Sequence, residues 1–283
     1  DRSRGDLPPP LAEPPPFPLT MSLERRHLGG RRYALVSPAL ESRGFLAAFS
    51  ERTGGLSDGS FAALNVSFSV GDDPGAVRRN RELLTEGLGV PAFAVAGLVH
   101  GDRVTRVGRG RAGAGFADPA EAIAGVDGLV TARIGVPIAV TVADCVPLVI
   151  ASAEEGSVVV AHVGWRGLVA GLVERAAATA RGTASSLTAV IGPAIGPCHY
   201  EVGEDVAVAV GGASLAGAIT SRRAGSLYLD LPGTIAAMLR AGGVRRIEMA
   251  ELCTACHPRR FFSHRRDAGS TGRQLGVAAR LHV

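Results

Sequence analysis

From residue 128 onward the chain becomes a series of short apolar runs cut by turn residues: 128–131, 138–142, 147–151 and 158–162. Each run is too short for a core helix and is rich in Val and Ile. That pattern predicts strands buried on both faces, and therefore a sheet-based core. Two of the runs carry residues that apolar packing does not explain. Residues 141–151 hold Asp144 and Cys145 in their middle, and the run from Ser157 ends on His162-Val-Gly-Trp-Arg-Gly167. A buried carboxylate costs several kcal/mol unless it is paired or hydrogen-bonded, so Asp144 requires a local partner. Two successive core strands that deliver a thiol and an imidazole point to a site.

The remaining elements predict an α+β fold, layered around a mixed sheet, because strands and helices alternate without a βαβ repeat. Strands are expected at 33–37, 44–50, 93–99, 104–107 and 187–191. Helices are expected at 76–88, entered through Asp72-Asp73-Pro74, at 167–181, at 204–210, and at 231–239 behind Asp230 and Pro232. Residues 108–125, rich in Gly and Ala without a period, read as a surface loop. Residues 1–30 hold the tracts Leu7-Pro-Pro-Pro10 and Pro14-Pro-Pro-Phe-Pro18. They are expected to be a disordered tail, with a single domain over 31–283.

With 283 residues, 46% of them hydrophobic, the chain can bury a substantial core. No window approaches the roughly 18 consecutive apolar residues of a membrane span, and no secretory leader is evident. A cytoplasmic protein with no membrane partner is the expectation. The net charge of +4 reflects 30 basic against 26 acidic residues, and aromatic residues make up 5%. Without clustered charge and interleaved aromatics, nucleic acid is not the expected partner. A monomer acting on a small molecule is.

His100, Cys145 and His162 each fall at or near the end of an expected strand, where a sheet edge can gather side chains. All three are zinc-ligand types, and three protein ligands leave a coordination position open for catalysis. Their spacing matches no compact zinc motif, and well-satisfied core residues would read the same way. Cys253-Thr-Ala-Cys256 could be half of a four-ligand zinc knot, with Cys198 and His199 as the other half. A redox pair or a buried turn with two small thiols is equally compatible. Phe261-Phe-Ser-His-Arg-Arg-Asp267 sets Arg265 and Arg266 beside a Gly/Ser/Thr turn, which suits a phosphate or carboxylate as well as a solvated ion pair. Trp165, the sole tryptophan, could anchor a helix start or wall a planar ligand.

Taken together and in order, several motifs resemble the YfiH family. They are Leu98-Val-His-Gly101, Ala143-Asp-Cys145, Ala161-His-Val-Gly-Trp-Arg-Gly167, Ile191-Gly-Pro-Ala-Ile-Gly-Pro-Cys-His-Tyr-Glu-Val202, and Cys253-Thr-Ala-Cys256 through Asp267. Members of this family are also known as laccase-domain proteins, polyphenol oxidases, peptidoglycan editing factors and purine nucleoside phosphorylases. The resemblance implies a layered α/β sandwich on a mixed sheet and a Zn²⁺ held by His100, Cys145 and His162. It also implies a catalytic Arg at Arg52 and a substrate-contacting Asn at Asn65. Arg265 and Arg266 are further candidates for phosphate binding, and Asp144 for orienting the centre. The sequence departs from the family pattern at Leu98, Ser69 and His264, where Gln, His and Tyr are usual.

The activity implied is phosphorolysis of adenosine, inosine, guanosine and methylthioadenosine, with adenosine deamination at the same centre. Copper-dependent phenol oxidation is an alternative. Multicopper centres use many His ligands, usually in His-x-His pairs, whereas this chain has seven His and no such pair, so Zn²⁺ is expected over Cu²⁺. Editing of a peptidoglycan precursor is a further alternative, since the arginines near 265 would suit an anionic nucleotide sugar equally well.

Overall fold

The computed structural model describes residues 23–213 and 220–281. Its strands, in chain order, are β1 (Glu24–His27), β2 (Tyr33–Val36), β3 (Phe45–Ser50), β4 (Ala94–Gly97), β5 (Val104–Arg106), β6 (Ile123–Ala124), β7 (Gly128–Thr131), β8 (Ile138–Val142), β9 (Val146–Ser152), β10 (Ser157–Val163), β11 (Leu187–Ile191), β12 (Glu201–Val202), β13 (Thr220–Arg223), β14 (Ser226–Leu229), β15 (Arg246–Met249) and β16 (Gln274–Arg280). The α-helices are α1 (Pro38–Glu41), α2 (Pro74–Leu88), α3 (Trp165–Val169), α4 (Leu172–Ala180), α5 (Glu204–Ala213) and α6 (Leu231–Ala241).

The fold is α+β, and the single mixed sheet of the expectation resolves into two. One runs β1-β2-β3-β16-β8-β4-β6 and the other β15-β11-β9-β10-β7-β5, with a small third sheet β12-β14-β13. Both large sheets are mixed, because β4 lies parallel to β6 and β8, β5 to β7, and β15 to β11. They pack face to face through Phe45, Phe49, Ile138 and Val140 on one side and Val149, Ala151, Val158 and Val160 on the other. Alternate residues of the same strands point outward. Leu148, Ile150, Val159 and Ala161 meet Leu168, Leu172, Val173 and Ile235 of the helices, while Leu46 and Val277 on the opposite outer face meet Leu84 of α2. The order of layers is thus helix, sheet, sheet, helix. This double covering is why β9 and β10 are buried at every position, each fully buried Val contributing about 2 kcal/mol over an exposed one.

Local chemistry sets the element ends. The Asp73 carboxylate accepts the Ala76 N–H at 2.7 Å and Pro74 fills the first turn of α2, which stops at Gly89 in the left-handed region, φ 66°. Asp230 caps α6 in the same way through Gly233 N–H. The single helix expected over 167–181 is instead two, α3 and α4, because Gly171 adopts φ 90° between them. The expected loop 108–125 holds the two-residue strand β6 at the sheet edge. The central strand β16 went unread, since Gln-Leu-Gly-Val-Ala-Ala-Arg carries little β-branched character. Its Gly276 has a purpose: a Cβ there would stand 2.8 Å from the Pro147 Cβ of the facing sheet.

The tail boundary is also corrected. Residues 1–22 lie outside the described residues, but Glu24–His27 is an edge strand paired antiparallel with Tyr33–Val36. It lacks apolar alternation because ion pairs hold it. Arg25 grips both carboxylate oxygens of Glu51 at 2.8 Å and lies 3.6 Å over the Tyr33 ring. Arg260 reaches the same Glu51 at 2.6 and 2.8 Å. Glu51 is fully buried. Burial alone would raise its pKa, yet the guanidinium hydrogen bonds of Arg25 and Arg260 prevail and hold it below the ordinary carboxylate value.

Glu51→Gln keeps the shape and removes the charge both guanidiniums need. A loss of about 2–3 kcal/mol is expected in urea unfolding, below the roughly 3–5 kcal/mol of a fully buried broken pair because both arginines keep some solvent. A carboxylate with a depressed folded-state pKa contributes stability above its unfolded pKa and loses it as pH falls through the folded one. The gap between wild type and variant should therefore be full at neutral pH and shrink on acidification.

Candidate active site

The chain passes from one large sheet to the other in three residues, Ala143-Asp144-Cys145, between β8 and β9. Asp144 takes φ 87° to make the crossing, a conformation unfavourable for a non-glycine residue. Its carboxylate accepts the Thr254 hydroxyl at 2.5 Å and the Arg265 N–H at 2.7 Å, and its carbonyl accepts the Ile195 N–H at 2.9 Å. Asp144 therefore ties two loops, the one between β11 and β12 and the one between β15 and β16, to the crossing. Neither His100 nor His162 is among its hydrogen-bond partners.

Cys145 leaves this turn as β9 begins. Antiparallel pairing of β9 with β10 sets His162 opposite Pro147, which brings the imidazole beside the thiol. His100, on the loop after β4, completes the group with φ 60°. Ligand atoms of His100, Cys145 and His162 all lie within 4.8 Å of one another, and the two imidazoles meet edge to face with centroids 4.8 Å apart.

The residue that organises them is Asp127, buried just ahead of β7. One carboxylate oxygen accepts His162 Nδ1–H and His100 N–H, both at 2.9 Å, and the other accepts the N–H groups of Gly101 and Val99 at 2.7 and 3.1 Å. Holding the proton on Nδ1 leaves Nε2 of His162 to the cluster. Burial alone would raise the Asp127 pKa, but the bonds from His162, Gly101 and Val99 outweigh it and lower it.

Charge is concentrated here. Burial would raise the Cys145 thiol, but attraction to His162 and hydrogen bonds from His100 and His162 lower it to about 6. Burial would lower His162, but the Cys145 thiolate and Asp127 raise it to about 9. A thiolate beside two imidazoles fits a borderline-soft divalent cation such as Zn²⁺. Gly164 leaves the room: a Cβ there would sit 3.1 Å from Cys145 Sγ and 3.4 Å from His100 Cδ2.

The group opens into a cavity of ≈ 310 Å³ whose walls include Trp165, Arg166, Tyr200, His264 and Arg265. Arg166 lies 4.5 Å over the Trp165 ring, and Arg265 donates to the Glu201 carbonyl at 2.8 Å. Burial, with the nearby Cys145 charge, pushes the Tyr200 phenol up to about 12, so it stays protonated at neutral pH.

Of the expected contact residues, Arg265 is in the wall, while Arg52, Asn65 and Arg266 take other places. Arg52 donates to the carbonyls of Ala62 and Pro258 and lies over Phe262. Asn65 is buried, donating to Ser67 O and Asp72 and accepting from Ser67 N and Arg273 N. Arg266 forks onto Asp267 and reaches the carbonyls of Thr254 and Phe261. All three hold loops together, and none lines the cavity. Asp127 was missed because an Asp between Val126 and Gly128 reads as an ordinary turn residue. Arg166 and Tyr200 lie inside motifs that were noticed for their neighbours. Cys198, His199, Cys253 and Cys256, left open as a knot, a redox pair or a turn, form a second donor group.

A sandwich of two mixed sheets with a cysteine–histidine group at the crossing places the chain among α+β proteins with a candidate metal site. The chain belongs to the family described as multi-copper polyphenol oxidoreductase laccase, whose profile matches residues 46–280. It is similar to the purine nucleoside phosphorylase YlmD of Geobacillus stearothermophilus, 38% identical over 250 residues covering 84% of this chain and 90% of the relative. A purine nucleoside phosphorylase of Deinococcus radiodurans is 37% identical over 235 residues, covering 81% of this chain and 87% of the relative. The crystal structure of Geobacillus YlmD superposes with a TM-score of 0.85 at 34% identity, covering 93% of this chain and 100% of that one. That of the Bacillus licheniformis hypothetical protein YfiH gives 0.82 at 30% identity, covering 91% and 99%. Among the described residues no helix is long and apolar enough to cross a membrane.

Asp127→Asn puts an amide NH₂ where N–H groups now donate, so it cannot satisfy both the 99–101 loop and His162. Zinc affinity in a chelator competition should fall about 10- to 100-fold, with the fold retained by circular dichroism.

Proposed function

We propose that this chain is a zinc-dependent purine nucleoside phosphorylase that also deaminates adenosine. The observation that carries this reading is a His₂Cys centre opening into a cavity with two guanidinium groups and two aromatic side chains on its wall. The names of the relatives support the same reaction class.

His100, Cys145 and His162 would hold the ion, with the tautomer of His162 set by Asp127. Bound there, zinc supplies Lewis-acid polarisation of an oxygen in the cavity. The chain's own residues do the rest. Arg265 and Arg166 carry fixed positive charge against phosphate, and Arg265 is braced by the Glu201 carbonyl. Trp165 and Tyr200 give flat surfaces for a purine, and the protonated Tyr200 hydroxyl can donate to it. In phosphorolysis a phosphate oxygen bonds to C1′ of the ribose as the bond to N9 breaks, and the purine takes the electron pair and a proton. In deamination water adds at C6 and ammonia leaves. The substrates are adenosine, inosine, guanosine and methylthioadenosine. Arg52, Asn65 and Arg266 support the loops and do not touch the substrate.

Copper chemistry is the weaker reading. His₂Cys also suits a copper electron-transfer site, but such sites add a weak axial ligand, usually Met, and no methionine lines this cavity among the described residues. Four-electron reduction of oxygen needs several coppers. The two donor clusters among the described residues contain three histidines in all, His100, His162 and His199.

Incubation of the purified protein with adenosine and phosphate should yield adenine with ribose 1-phosphate, and inosine. Neither product from zinc-loaded protein would sink the proposal, as would stoichiometric copper with phenol turnover. Cys145→Ala should abolish both reactions. Arg265→Met should raise the KM for phosphate at least ~10-fold, the worth of a charged hydrogen bond of about 1.5–3 kcal/mol, and change deamination much less.

A further inference from the structure

We propose that Cys198, His199, Cys253 and Cys256 bind a second Zn²⁺, in a closed structural site that clamps two walls of the catalytic cavity together. The inference does not depend on which reaction the cavity performs.

The four donor atoms lie within 4.8 Å of one another. Cys198 Sγ is 3.3 Å from Cys256 Sγ, and His199 Nδ1 is 3.3 Å from Cys256 Sγ and 3.8 Å from Cys253 Sγ. Bond lengths of about 2.3 Å to sulfur and 2.0–2.1 Å to nitrogen place tetrahedral ligands about 3.8 Å apart for two sulfurs and about 3.5 Å for sulfur and nitrogen. These three separations lie within about 0.5 Å of those edges, and the remaining pairs lie within 4.8 Å. A Cys198–Cys256 disulfide would need about 2.05 Å and would leave Cys253 and His199 without a role.

The surroundings are those of a thiolate site. The Gly196 N–H donates to Cys253 Sγ at 3.3 Å and the Cys256 N–H does the same, the N–H···S support that outer-shell donors give metal thiolates. Gly196 has no Cβ, which would otherwise stand 3.3 Å from Cys253 Cβ and 3.5 Å from Cys198 Sγ. Three sulfurs and one imidazole select zinc over hard cations, and four protein ligands leave no open position. The centre at Cys145 has three and keeps one.

What the clamp holds is visible in the chain. Two loops, one before β12 and one after β15, meet through a short parallel bridge of Ala194 with Cys253. Thr254 N–H donates to Ala194 O at 3.0 Å, and the Thr254 hydroxyl reaches the Asp144 carboxylate. The first loop runs into Tyr200, and the second leads toward His264 and Arg265, all in the cavity wall. A metal at the four donors would fix the first loop three residues from its Asp144 tie at Ile195 and the second one and two residues from its tie at Thr254.

The test uses Cys145→Ala protein, which lacks the first centre, purified with zinc and analysed by elemental mass spectrometry. One zinc per chain is expected. It should drop to none when Cys198→Ser and Cys256→Ser are added. Cobalt exchanged into the Cys145→Ala protein should give the intense visible and charge-transfer bands of a tetrahedral thiolate site, a readout independent of whether the triple variant folds. Zinc-free Cys145→Ala protein whose three remaining thiols alkylate freely would overturn the proposal. So would a Cys198–Cys256 disulfide in non-reducing peptide mapping.

Discussion

The Asp144 carboxylate, with its two hydrogen bonds to Thr254 and Arg265, is the tie on which the geometry of the site depends. It sits where the chain leaves one sheet for the other, so any movement of the crossing would move Cys145 as well. The strained φ at Asp144 is kept because two loops converge on it through three hydrogen bonds, each worth about 1 kcal/mol or more in a buried setting. The same residue explains why a thiol can stand in an apolar run: the strand does not bury Cys145 between the sheets, but begins just after it, at the rim.

Two carboxylates divide the labour at this rim. Asp144 holds the loops, and Asp127 holds the imidazoles. Asp127 accepts four N–H groups, enough to stabilise a full negative charge at a site with no solvent exposure. It fixes the His100 backbone in its unusual φ and the His162 ring in one tautomer with the same two oxygens. One side chain therefore sets the backbone position of His100 and both the tautomer and the raised pKa of His162 beside the Cys145 thiolate.

Much of this was legible in the sequence, and the illegible parts have a common cause. The runs that became β7, β8 and β11 matched to the residue, and β9 and β10 to within one at each end, because strands buried on both faces must be apolar throughout. Caps at Asp73 and Asp230 were equally plain. His100, Cys145 and His162 were noticeable because polar donors at the ends of such runs need a reason. Asp127 gave no such signal, since its four partners are backbone groups and a ring that only the folded chain assembles. β16 was hidden by its Ala and Gly, which are there to let the sheets approach, and β1 by charges that find their partner Glu51 far along the chain. The motif around Arg265 and Arg266 was compatible with an anion site or an ion pair, and the fold divides the two guanidiniums between a cavity wall and the Asp267 pair.

That division extends to the arginines generally. A basic excess read from composition suggests an anionic partner, yet many guanidiniums here are consumed by the protein's own loops. Arg81, buried, donates to the carbonyls of Val66, Gly115 and Phe116, and burial lowers its pKa to about 9. Arg246 and Arg273 likewise saturate loop carbonyls. A fork of five donors satisfies several carbonyls at once in irregular backbone, where neither helix nor sheet can. The cations available to a ligand are then those whose forks the fold leaves mostly unspent beside a cavity. Arg265 gives one donor to Glu201 O, and Arg166 rests on an indole face. The positive charge beside this cavity follows from which arginines the loops did not need.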